Sequence, residues 1–140
     1  MIARLYVLDT DTLSLVQRQQ QPYVQCLMTL PPDQRAITVV TVEEQLRGWL
    51  ARIRRAKDTA TVIRAYARLY QAVVYLTQIN VLLFDDQAAA KMNHLRQQKI
   101  RIGTLDLRIA AIVLARDGIL VTRNLSHFQQ VPGLPVEDWS

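Results

Sequence analysis

Apolar residues recur along this chain with two different periods, and the changes of period mark its elements. "RLYVL" (4–8) is a short apolar run rich in strand formers and predicts a buried β-strand. "TDTLSLVQRQQ" (10–20) predicts a helix. "PYVQCLMTL" (22–30) predicts a second helical piece, with Pro22 in its first turn and Pro31-Pro32 ending it. The β-branched run "AITVVTV" (36–42) predicts a second strand. From Glu43 to about Arg55 the period becomes helical, with Leu46, Trp49, Leu50 and Ile53 at i, i+3, i+4 and i+7. The next helix spans 58–78, with Asp58 or Thr59 as its cap and Val62, Tyr66, Leu69, Val73 and Leu76 as its stripe. "INVLLF" (79–84) reads as strand and 85–99 as helix. Residues 104–116 form another helix, capped by Thr104 and closed near Gly118. "ILVT" (119–122) is a strand, and "LPVEDW" near the C-terminus supplies an edge strand. Strands separated by helices imply a mostly parallel sheet covered on both faces.

Composition narrows this further. The chain has 140 residues, half of them hydrophobic, with 4 Gly and 5 Pro, which suits one domain of long regular elements, residues 1–140. The single cysteine, Cys26, excludes an internal disulfide and is expected in the core. The apolar run before Asp9 is too short for a secretory signal or a membrane span, so a soluble, cytoplasmic protein is expected, with no membrane partner. A net charge of +5 favours a polyanionic partner such as nucleic acid or an acidic protein segment.

Against that basic background the acids at the strand exits stand out. In open α/β sheets ligands bind outside the carboxyl ends of the strands. Asp9 ends the first strand and interrupts a buried run where Thr10 or Asp11 is the more natural cap. Glu44 falls about one turn beyond the second strand. Asp106 lies in the first turn of the helix at 104–116, and Asn124 follows "LVT". Each alone has an ordinary reading as a cap, a helix-dipole partner or a turn residue. Together, carboxylates held close repel one another unless a cation lies among them, and a hard divalent cation takes such oxygen ligands. A basic protein with such a site has the make-up of a metal-dependent nuclease.

Two resemblances bear on the opening stretch "YVLDTDTLS". "DTDTL" resembles the first motif of haloacid-dehalogenase-like phosphatases, which implies Asp9 as nucleophile and Asp11 as general acid, with Thr41, Lys57, Asp85 and Asp86 completing the set. Leu13 departs from that motif, and the assignment leaves Asp106 and "LVTRN" without a task.

The second resemblance covers nearly the whole chain. "YVLDTDTLS", "ITVVTVEEQLRG" and "IGTLDLRIAAIVLARDGILVTRNLSHFQQVPGLPVEDW" resemble the PIN-domain family, in particular the VapC-type toxins of bacterial toxin–antitoxin systems. The resemblance implies a three-layer α/β/α fold and a Mg²⁺- or Mn²⁺-dependent endoribonuclease, restrained by an antitoxin protein and commonly a homodimer. It places Asp9, Glu44, Asp106 and Asn124 as catalytic and metal-binding residues, with Thr10, Ser14 and Thr122 supporting them. Arg47, Arg52, Arg55 and Arg123 are candidates for holding the RNA backbone. His127 stands where many relatives have Asp, which lowers the negative charge there. A non-cleaving module that binds RNA or protein is the alternative from another class.

Overall fold

The computed structural model describes residues 4–140. Five parallel strands form one sheet: β1 (Tyr6–Leu8), β2 (Arg35–Thr38), β3 (Val81–Leu82), β4 (Ile119–Val121) and β5 (Val136–Glu137). Their spatial order is β3-β2-β1-β4-β5, so β1 lies at the centre. Among the described residues seven α-helices accompany the sheet: α1 (Thr10–Gln17), α2 (Tyr23–Met28), α3 (Val39–Arg55), α4 (Thr59–Thr77), α5 (Asp86–Gln97), α6 (Thr104–Ala115) and α7 (Leu125–Phe128), with a 3-10 turn at Pro32–Gln34.

The two-residue period of a strand divides the core into two layers. Val7, Ala36, Leu82 and Leu120 point to one face and pack with Met92, Leu95, Ile109, Ile112 and Phe128 from α5, α6 and α7. Their neighbours Leu8, Ile37 and Val121 point to the other face and meet Leu13 and Val16 of α1, Tyr23 of α2 and Leu76 of α4. Helices therefore cover both faces, as the continuous apolar strands require.

Several boundaries differ from the sequence reading. The second strand stops at Thr38, and Val39–Val42 begin α3 although β-branched residues favour strands. The cause is local: the Thr38 hydroxyl accepts the Thr41 N–H and caps the helix. Glu44 consequently lies in the second turn of α3. Asp9, not Thr10 or Asp11, caps α1, accepting the Thr12 N–H at 2.9 Å. Asp58 caps α4 as expected. Thr104 is the first helical residue of α6, preceded by Gly103 without a side-chain cap, and Pro22 precedes α2 rather than opening it.

Gly118 does not provide the left-handed residue after α6. Asp117 does, at φ 50°, while the Gly118 N–H reaches back to the Val113 carbonyl. Glycine at 118 keeps β4 close to β1 instead: a Cβ there would stand 3.2 Å from the Leu5 carbonyl oxygen and 3.3 Å from Val7 Cγ2, tighter than ordinary contact. Cys26 is partly exposed rather than core. On α4, Ala65, Ala72 and Leu76 are buried, whereas Tyr66 and Val73 of the expected stripe face outward with Ile63, Tyr70 and Val74. Among the described residues no helix is long and apolar enough to cross a membrane.

Candidate functional site

Because β1, β2 and β4 run parallel, their carboxyl ends open on one edge of the sheet. Asp9 leaves β1 there, α3 leaves β2, and the turn carrying Thr122 and Asn124 leaves β4. α6 brings Asp106 to the same edge from its first turn. A cavity of about 640 Å³ results, lined by Asp9, Thr10, Asp11, Ser14, Glu44, Asp106, Arg123 and Asn124. Four expected site residues and two of the three expected supporting hydroxyls therefore share one hollow. Thr122 is buried beside it.

Each carboxylate is held by its own set of bonds. Asp9 is 8% exposed, and Oδ1 takes the cap bond from Thr12. Burial pushes its pKa up from the ordinary 3.8, and the nearby Asp11 adds to this, while bonds from Thr122 and Thr12 oppose it. Glu44 accepts a 2.6 Å bond from the Thr10 hydroxyl. Its pKa is also raised, first by desolvation, against the opposing Thr10 bond, and further by the charges of Asp106, Asp9 and Glu43. An ionised carboxylate has no proton to give, so Thr10 donates to Glu44. The hydroxyl of Thr41, 3.0 Å from that of Thr10, then donates to Thr10. Thr41 enters the sequence reading only through the phosphatase motif. Its place three residues before Glu44, on the same side of α3, is the signal for its real position.

Burial likewise raises the Asp106 pKa, opposed by His127. His127 Nδ1 lies 3.5 Å from Asp106 Oδ2 and 2.7 Å from Asn124 Nδ2. Neutral imidazole accepts from the Asn124 amide at that nitrogen; protonated imidazole presents an N–H toward Asp106. The backbone N–H of Asn124 is turned inward to the Thr122 hydroxyl at 3.0 Å.

The donors are hard oxygens, and three of them are carboxylates whose burial raises their pKa, a cost that a bound divalent cation would offset. Among the described residues, however, no three His, Cys, Asp or Glu side chains converge closely enough to grip one ion directly. Glu44 is bonded to the Thr10 hydroxyl, and Asp106 lies beside His127. The set fits a cation that keeps part of its water shell, as Mg²⁺ does.

The arginines divide. Arg123 lines the cavity, 3.7 Å from Asp11. Arg52 lines a neighbouring hollow that shares Thr10, Ser14 and Glu44 with the cavity, and Arg55 lines a further one beside that. Arg47 is turned away in a 2.7 Å ion pair with Glu43. Arg18, Trp49 and Arg68 also border those hollows and escape a sequence reading, because α4 meets α3 only through the tertiary fold. The phosphatase set is not assembled: Asp85 caps α5, and Asp85 and Asp86 line a separate pocket with Gln87 and Arg116.

No protein-family model matches the chain. Over 138 residues it is 25% identical to the tRNA(fMet)-specific endonuclease VapC of Salmonella typhimurium, covering 96% of this chain and 97% of that one. It is 26% identical over 143 residues to ribonuclease VapC1 of Haemophilus influenzae strain R2866, covering 97% and 98%. Its fold matches a DNA-bound VapBC structure from Salmonella typhimurium with a TM-score of 0.76, at 23% identity over 99% of this chain and 100% of that one. VapBC-1 from nontypeable Haemophilus influenzae gives 0.72, at 26% identity over 96% and 98%. Over nearly its whole length, then, the chain is similar in sequence to VapC ribonucleases and shares its three-layer fold with the solved VapBC structures.

Proposed function

We propose that this protein is a divalent-metal-dependent endoribonuclease, the toxin of a toxin–antitoxin pair. The observation that carries the reading is the hollow where Asp9, Glu44, Asp106 and Asn124 meet from four separate segments. Asp9, Glu44 and Asp106 would hold Mg²⁺ or Mn²⁺, in part through water, with the Asn124 amide as a neutral fourth ligand. The ion supplies Lewis-acid polarisation of a phosphoryl oxygen and makes water more acidic.

The chain's own residues prepare that site. The Thr41–Thr10 hydroxyl chain fixes Glu44, and the cap bond from the Thr12 N–H fixes Asp9. Ser14 points its hydroxyl back to the Thr10 carbonyl at 3.0 Å and so supports the first turn of α1. Arg123, only loosely paired with Asp11, is placed to meet a phosphate at the cavity rim.

The test is cleavage of RNA with Mg²⁺ or Mn²⁺, in chelator, and by Asp9→Asn and Asp106→Asn. Cleavage that survives chelation or either substitution refutes the reading. Release of phosphate from a small phosphomonoester, unaffected by Asp106→Asn, would favour the phosphatase instead. A second reading, an RNA- or protein-binding module that does not cut, is favoured by His127 beside Asp106 and by the loose carboxylate set. Metal-independent RNA binding without cleavage would support it.

The remaining assignments follow from this reading. We take the chain as one domain, a reading supported by the two apolar layers sharing a single sheet, and as cytoplasmic, in keeping with its toxin–antitoxin relatives. An antitoxin protein restrains it. The outward apolar stripe of α4, with Ile63, Tyr66 and Tyr70 each more than half exposed, is the face we assign to a second protein chain in a homodimer. Size measurement of the wild type and Tyr70→Asp tests that assignment.

A further inference from the structure

The acidic hollow does not end at Glu44. Thr10, Ser14 and Glu44 also line a second hollow of about 360 Å³, whose walls include Arg18 at the end of α1, Trp49 and Arg52 on α3, and Arg68 on α4. A third hollow of about 330 Å³ shares Trp49, Arg52 and Arg68 and adds Arg55 and Arg64. The three adjoin in series through these shared wall residues, and their lining changes from acidic to basic along the series. Glu44 is the one acid lining the second hollow, and no acid lines the third. Among the described residues Arg18, Arg52, Arg55 and Arg68 take part in no ion pair, so their charge is available to a ligand.

The middle hollow has more than charge. The Arg52 guanidinium lies 4.6 Å from the centre of the Trp49 ring. Trp49 is partly buried and Arg52 exposed, so the indole backs one face of a planar cation whose other side meets solvent. Gly48 beside them adds no side chain, and the space where its Cβ would stand is open. A guanidinium placed over an indole offers a planar cation for a nucleobase to stack on, and lysine cannot replace it. A base paired within a duplex has no free face to offer.

We propose that the hollow between Arg18, Trp49, Arg52 and Arg68 is a subsite for an unpaired nucleotide of the RNA strand. Its base stacks on the Arg52 guanidinium that Trp49 supports, and Arg18 and Arg68 hold the adjoining phosphates. The subsite gives the ribonuclease reading, on which it rests, a preference for single-stranded segments that extend from the acidic hollow toward α4.

The test compares two oligonucleotides of equal length and charge, one an unpaired RNA and one abasic throughout, binding in chelator and followed by fluorescence anisotropy. The wild type should favour the base-bearing strand by roughly 5- to 100-fold. Arg52→Lys keeps the charge and should lose most of that preference. Arg68→Ala should weaken both strands alike and lower the slope of log affinity against log salt by about 0.7. Arg96→Ala on α5, beyond the opposite face of the sheet, should change neither. Equal affinity of the wild type for both strands, or a preference undiminished in Arg52→Lys, overturns the proposal. So does equally tight binding of an oligoglutamate of the same charge. Cleavage of the same RNA with Mg²⁺, lost in Asp106→Asn, is scored separately. The nuclease reading and the subsite can therefore fail independently.

Discussion

On the proposed reading Asp9 carries two functions that substitution can separate. Its Oδ1 accepts the Thr12 N–H at 2.9 Å and caps α1, and its carboxylate lines the acidic hollow. Asp9→Asn keeps an oxygen for the cap and removes the charge; Asp9→Ala removes both. Losing an N-cap costs about 1 kcal/mol, within a range of about 0.5–2. For a chain of this size that lowers the melting temperature by about 3–5 °C. Removing the charge acts in the opposite direction, because burial raises the pKa of Asp9 and leaves its ionised form disfavoured in the folded protein. In chelator Asp9→Asn should therefore melt at or above the wild type, and Asp9→Ala below Asp9→Asn. Both should fail to cleave RNA. Added Mg²⁺ at about ten times its dissociation constant should stabilise the wild type by about 1.4 kcal/mol and leave Asp9→Asn unmoved. Calorimetry and gel-based cleavage measure the two functions. Full cleavage by Asp9→Asn, or an Asn variant less stable than the Ala variant, would refute the assignment.

Three further outcomes follow from the same geometry. Thr10→Val removes the 2.6 Å bond to Glu44 and should weaken metal affinity or cleavage by about 10- to 100-fold, read from the Mg²⁺ dependence; Thr41→Val, one bond further out, should cost less. Gly118→Ala forces a methyl to within 3.2 Å of the Leu5 carbonyl and should destabilise the fold by about 1–3 kcal/mol in urea titration, whereas an unchanged midpoint would refute the close packing of β4 on β1. The third concerns pH. Folded pKa values above the ordinary 3.8 and 4.5 mean that the folded chain binds more protons than the unfolded one across that window. In chelator the stability contributed by these groups is full below those ordinary values and is lost as pH rises through the raised ones. The wild type should then fall increasingly behind an Asp9→Asn, Glu44→Gln, Asp106→Asn triple variant. A gain on the triple variant with rising pH would contradict the burial of these carboxylates.

The sheet was legible because its strands are apolar on both sides and short. Val7 and Leu8, or Leu120 and Val121, leave no polar face, which only a doubly covered parallel strand tolerates. Element ends were less legible, because they are set by single hydrogen bonds that propensity does not register. Thr38 turns a β-branched run into helix by accepting one N–H. Gln19, Lys99 and Asp117 take the left-handed position after α1, α5 and α6, where composition points to glycine. The outward stripe on α4 shows the same limit at the scale of packing. Tyr66 and Val73 share its helical period, but only the position of the sheet decides which of two apolar faces is buried.

At the site, the acids could be read because each follows a strand or opens a helix at the edge where parallel sheets bind ligands. That rule concerns one segment at a time and is silent on what holds each acid in place. The chain from Thr41 through Thr10 to Glu44 joins residues 31 and 34 apart, and His127 reaches Asp106 from another helix. Such contacts exist only once β1, β2 and β4 lie side by side. The arginine groove is further removed still. Arg52 reads as one charge in a run on α3, yet it stacks on Trp49 and faces Arg68 across the packing of α3 on α4. What a linear reading takes for a solvated basic face is, in the folded molecule, the wall of a groove that begins at the carboxylates. An acidic pocket for a cation and a basic track for phosphates are then two ends of one surface. On the proposed reading each makes chemical sense only with the other, since a strand drawn in by arginines would be met, where it is cut, by carboxylates that need a cation between them and its phosphate.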